Sequence, residues 1–214
     1  MSARFLLKPG RKGGWWGIAF VLVLFVSAGM ISLPTAAEPG TSINDFYSAH
    51  RQIIIWQQVV GALSLLPFVA FVSAIIDRVR AAGRQPSRWL IPAAALVVAA
   101  ELATNIVPMA MVLASHPSAD LAHTLTLVED LADSALFASI AVFVLAASTA
   151  EASWVRALAA LVAAASLARA IASPLGLPAL DAAAPIAFIG LVVLTSIRIL
   201  SGAGPARRVE AKNP

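Results

Sequence analysis

Three carboxylates, Glu129, Asp130 and Asp133, stand in the first half of an apolar run, residues 123–148, that is long enough to cross a bilayer. At 100° per residue, His123, Thr126 and the three acids fall within an arc of roughly 120°, and below Asp133 the same face turns to Phe137, Ile140 and Val144. A carboxylate inside a membrane span is costly. It faces a protein interior or a water-filled cavity, and proton relays and ion pathways are built from such groups. The acids therefore require partners. Glu101, Thr104 and Asn105 form a polar strip on the preceding apolar run, residues 89–113, and Gln57 and Gln58 lie inside the run 53–76. Arg169 lies near the far end of a fifth run. At 1.5 Å per residue, Asp133 is roughly 18 Å from one end of its helix and Glu101 roughly 20 Å from the opposite end of the neighbouring one. That puts both near the midplane of a hydrocarbon core about 30 Å thick. A short loop joins the two runs, so they pack as antiparallel neighbours. All these polar residues map to one half of the bundle, and the other half offers nothing comparable.

Other chemistries find little support. The chain has no cysteine, which excludes disulfides, thiolate metal sites and thiol catalysis. His50, His116 and His123 match no helical ligand spacing such as i, i+4, so no metal site is expected. The motifs HExxH, GxSxG and GxxxxGK[ST] are missing, so the chain reads as a non-enzyme with no catalytic residues and no cofactor. A formal charge of +4 and a pI near 10.3 would suit a nucleic-acid binder. The basic residues, however, are spread over loops between apolar runs, a pattern of membrane orientation, and no nucleic-acid partner is expected.

The elements that must position these residues follow from composition. Hydrophobic residues make up 60% and charged ones only 12%, about half the charged share of a soluble domain, so the expected fold is all-α and polytopic. Six spans are expected in one transmembrane domain, residues 15–200. They cover residues 17–33, 53–76, 89–113, 123–148, a fifth ending near 173, and 182–200. A basic head (1–14) precedes them and a short charged tail (201–214) follows. The first run after a basic head, with Thr35-Ala36-Ala37 behind it, also has the outline of a signal peptide. An uncleaved span fits better, because it begins a series of similar helices. Of 15 Lys and Arg residues, 13 fall on the head, the 78–88 loop, the 151–156 turn and the tail counted from Arg198. The positive-inside rule then places both termini in the cytoplasm, in a bacterial cytoplasmic membrane with lipid as the first partner. Gln57, Gly61 and Ser64 form a small-residue strip for close helix packing, Pro67 and Pro108 are candidate kinks, and Asp181 a candidate cap for the sixth span. Phe46 and Tyr47 predict a short helical continuation of the second span, with the aromatics at headgroup depth.

Three short stretches carry a likeness to known proteins: Phe46-Tyr47-Ser48-Ala49-His50-Arg51, Leu131-Ala132-Asp133-Ser134-Ala135-Leu136 and Leu175-Gly176-Leu177-Pro178. In these the chain resembles the bacterial six-span membrane proteins of domain of unknown function 4386. The resemblance implies the six-span architecture; the family carries no established activity, so it supplies no site residues.

The expected site is thus a polar cluster inside the membrane: Gln57, Glu101, Asn105, Glu129, Asp130, Asp133 and Arg169. As a function, it predicts a vestibule in the outer half that binds or carries a small solute or a proton. The competing expectation is a structural or partner-binding subunit whose acids only hold helices together. Arg169 either pairs with an acid or extends to the interface.

Overall fold

The computed structural model describes residues 12–114, 117–173, 177 and 180–202. Arg4, Lys8 and Arg11 of the head, Arg207, Arg208 and Lys212 of the tail, His116, Pro174, Leu175, Gly176 and Pro178 lie outside the described residues. The described residues form seven helices and no strand. These are α1 (Gly14–Ala28), α2 (Gly40–Ala49), α3 (Arg51–Ala81), α4 (Leu90–Leu113), α5 (Ala119–Ser148), α6 (Ser153–Ala172) and α7 (Ala183–Leu200). Five of them, α3 to α7, are long and apolar enough to cross a membrane.

The first of the expected spans is different from the expectation. Its helix starts earlier and stops five residues sooner, and its 15 residues reach only about 22 Å. The Gly29 and Met30 amides turn back onto Phe25 and Ser27, and Pro34 disfavours helix at Leu33. Residues 29–33 consequently run as turn and irregular chain where helix is expected. The stretch with Phe46 and Tyr47 is helical, but as a separate element. The chain breaks at His50 (φ −114°, ψ 17°), and α2 packs mainly against α5. Tyr47 is buried against the protein.

Each long helix packs on its neighbours in sequence, and the last returns to the first, so α1, α3, α4, α5, α6 and α7 close a ring. Two glycines allow the tight crossings. A Cβ on Gly17 would overlap Ser196 of α7 and the Phe71 ring of α3. On Gly61 it would press on Asn105 Oδ1 at 3.0 Å and Ser27 Oγ at 3.2 Å, where α3, α4 and α1 meet. The small-residue strip Gln57, Gly61 and Ser64 is buried along this seam, as small residues permit.

Inside the ring, one half is filled by phenylalanines. Phe20 of α1 packs on Phe68 of α3 (5.2 Å between centroids) and Phe188 of α7 (6.2 Å), and Phe68 packs on Phe143 of α5 (5.2 Å). Buried aromatic rings dominate core packing energy, and here they stop the ring from being a pore. At the end beyond this plug, Glu151 in the α5–α6 turn is buried between Arg78 of α3 (2.6 Å) and Arg198 of α7 (3.1 Å). Arg84 donates to the Ala150 carbonyl beside it (2.8 Å). This clamp corrects the expectation that the basic half carries no polar network. Sequence position hides it, because the three residues are far apart along the chain.

Candidate functional site

The other half of the ring is hollow. A cavity of about 610 Å³ opens between α1, α3, α4, α5 and α6, and all seven residues of the expected cluster line it. From α3 comes Gln57; from α4, Glu101, Thr104 and Asn105; from α5, Glu129, Asp130 and Asp133. Arg169 enters from α6 and Asp181 from the chain just before α7. The helical geometry explains the convergence. Glu101 and Asp133 stand near the middles of a 24-residue and a 30-residue helix packed antiparallel. Glu129, Asp130 and Asp133 occupy consecutive turns of one face of α5. Ser118 caps that helix by accepting from the Leu121 amide (3.2 Å), so α5 begins at Ala119, four residues before the expected start.

The irregular segment after α1 forms one wall. Its Ser32, Leu33, Pro34 and Thr35 line the cavity, and polar side chains replace the missing helical ladder. Gln57 Nε2 donates to the carbonyls of Ile31 (2.7 Å) and Ser27 (3.3 Å), while Ser27 Oγ donates to the Gln57 carbonyl (2.9 Å). Asp130 Oδ2 accepts from the Ala36 amide (3.0 Å), and the Ala36 carbonyl lies 3.0 Å from His123 Nε2. Backbone polar groups outside a helical ladder require such partners or water. Gln57, Asp130 and His123 are thereby committed to the main chain.

Arg169 faces acids. Its Nη1 is 2.7 Å from Asp133 Oδ2 and its Nε is 3.6 Å from Asp181 Oδ1. Neither N–H is aligned as a hydrogen bond, so both contacts are electrostatic, and the two nitrogens remain buried without an aligned acceptor. The guanidinium carbon lies over the Phe137 ring, 3.7 Å from its centroid. Asp181, expected to cap the sixth span, is drawn to Arg169 instead, and α7 starts behind Ala182 with no side-chain cap.

Glu129 accepts from the Tyr47 hydroxyl (3.4 Å), which reaches it from α2. Burial first, and then the Glu129 carboxylate, push the Tyr47 hydroxyl above its ordinary range, so it remains a donor. The sequence carries no signal for this contact, since Tyr47 and Glu129 are 82 positions apart. Glu101 is the least committed acid. Only Asn105 Nδ2 approaches it, at 3.4 Å, and no cation lies within ion-pairing distance among the described residues.

Below the acids, a second pocket of about 260 Å³ continues toward the aromatic plug. Glu101, Asp133 and Arg169 line both spaces and mark the level where they join. Phe20, Leu65, Phe68, Val97, Ile140 and Phe188 wall the lower one. The chain matches no family model, no curated protein and no solved structure.

Proposed function

We propose that this chain is a six-span membrane protein, of the kind the resemblance to domain of unknown function 4386 implies, which binds or carries a small solute or proton through an outward-facing vestibule. In this reading α1 is the first of the six spans, short because the segment behind it is folded into the cavity wall. The acidic end of the ring faces outward and the Arg78, Arg84 and Arg198 end faces the cytoplasm. One observation carries the reading: among the described residues, a cavity of about 610 Å³ is lined by five carboxylates and one arginine. Helix packing alone does not require such a volume, and acids inside a span ordinarily line a path for a charged species. The aromatic plug argues against an open channel and for a closed-bottom site. No step of covalent chemistry is assigned to it.

The absence of cysteine makes the test direct. A Thr104→Cys chain, with the new thiol on the cavity wall, should react with a membrane-impermeant thiol reagent applied from outside. An exposed control at Ser48 sets the upper rate. Failure of Thr104→Cys to react while Ser48→Cys reacts sinks the vestibule. The second reading, acids that serve only assembly, draws on Gln57, Asp130 and His123, whose bonds go to the backbone of residues 27–36. It would leave Thr104→Cys unreactive.

A further inference from the structure

Resting on the vestibule reading, we propose that the ligand is an organic cation with an apolar body, its charged group at Glu101 and its body in the lower pocket. Four observations lead there. The upper space is strongly acidic: of its five carboxylates, Asp133 and Asp181 share Arg169, while Glu101, Glu129 and Asp130 face no basic side chain within ion-pairing distance among the described residues. Carboxyl groups without a basic partner favour a cation over an anion as their neighbour. The lower space is walled by aliphatic and phenyl side chains, which favour an apolar group by roughly 25 cal/mol for each Å² buried. Glu101 stands at the junction of the two, with one long contact to Asn105. Finally, the chain already holds one organic cation at this level, its own Arg169 guanidinium, between the Asp133 and Asp181 carboxylates and the face of Phe137. A ligand cation beside it would meet the same kinds of partner, carboxylates above and an aromatic and aliphatic floor below. A bare inorganic cation would leave the lower space without an occupant, and an anionic amphiphile would meet the uncompensated acids.

The test uses the full chain in phosphatidylcholine nanodiscs, with empty discs subtracted. Three probes separate charge from body: tetraphenylphosphonium, its anionic counterpart tetraphenylborate, and tetramethylammonium, a cation without an apolar body. Tetraphenylphosphonium should bind saturably and protect Thr104→Cys from the thiol reagent. Tetramethylammonium should compete at least tenfold more weakly, and tetraphenylborate should not protect. Glu101→Gln should weaken tetraphenylphosphonium binding at least tenfold while Glu101→Asp retains most of it, and Ile189→Trp, which fills the lower pocket, should weaken it as well. Equal competition by tetramethylammonium overturns the amphiphile, as does protection by tetraphenylborate. A Thr104→Cys chain that reacts from outside but is protected by no probe overturns the inference and leaves the vestibule standing. If it does not react at all, the vestibule and the inference fall together. The protection measurement uses the native Glu101 and Ile189, so it decides even where a substitution at either position prevents folding.

Discussion

Arg169 illustrates how a charge can be kept within an apolar helix. Its guanidinium has left water, and Asp133, Asp181 and the Phe137 ring replace the lost hydration. Removing the cation strands Asp133 beside the other acids, so Arg169→Ala should destabilise the protein. The expected loss is on the order of 1–3 kcal/mol, below the roughly 3–5 kcal/mol of a fully dehydrated pair, because the Asp133 side chain retains 29% exposure. Adding Asp133→Asn to Arg169→Ala should recover part of the loss, and adding Asp181→Asn less, since that acid is farther away and 50% exposed. Thermal unfolding of the three variants in lipid measures this, and a double variant no more stable than Arg169→Ala refutes the pairing. Gln57 has a different duty. It spans from α3 to the Ser27 carbonyl in the last turn of α1 and the Ile31 carbonyl beyond it, so its polarity serves the main chain.

At the scale of the element, the segment between α1 and α2 decides whether the cavity has a wall. It has no secondary structure of its own beyond turns over residues 30–39, and it is tied to α5 at Ala36 by both backbone groups. The tie is a charge-assisted bond from the Ala36 amide to Asp130 and a contact from its carbonyl to His123. Substituting Asp130 by leucine removes the acceptor while keeping bulk, so the Ala36 amide should exchange with deuterium about tenfold faster or more. Asp130→Asn retains an acceptor oxygen and should change exchange far less. Equal protection in both variants would show that the wall is held by Gln57 and packing alone. The stop of α2 at His50 is stabilised locally, with the His50 ring on Phe46 (4.5 Å) and its Nδ1 2.9 Å from the Phe46 carbonyl.

For the molecule as a whole, the ring of six helices has two unlike ends. Glu151, Arg78, Arg84 and Arg198 join the ends of α3 and α7 to the α5–α6 turn at one end. Gly14 at the start of α1 backs onto Ser196 and Leu200 at the same end. At the other end, Ala36 meets α5, Asn44 donates to the Pro117 carbonyl (2.7 Å), and Arg169 meets Asp181. The helices therefore alternate in direction around the ring. With the positive-inside rule this alternation makes a topology prediction. Reporter fusions at Gly83, a surface glycine with φ 70° that closes α3, and after Gly202 should report cytoplasm, and a fusion at Thr41 the exterior. A cytoplasmic signal at Thr41 is incompatible with six spans. The clamp at Glu151 and the phenylalanine plug fill the basic end, and the acidic end holds the cavity.

What the sequence by itself determined follows from local quantities. Hydropathy and length mark the five long helices, because apolar side chains in runs of this length have few other stable arrangements. Helical periodicity puts Glu129, Asp130 and Asp133 on one face, and equal depth sets Glu101 opposite Asp133, which was enough to name seven residues that line one cavity. Only the tertiary structure decided what each of them does there. Whether Asp130 meets a solute or the Ala36 amide, and whether Asp181 caps a helix or faces Arg169, depends on contacts between residues 94 and 12 positions apart. The same holds for Tyr47 on Glu129 and for the clamp of Arg78 and Arg198 on Glu151. Periodicity reports the face a side chain takes on its own helix. Which neighbour fills the space in front of that face is set by ring closure and by the irregular chain after α1, and neither leaves a repeating signal in the sequence.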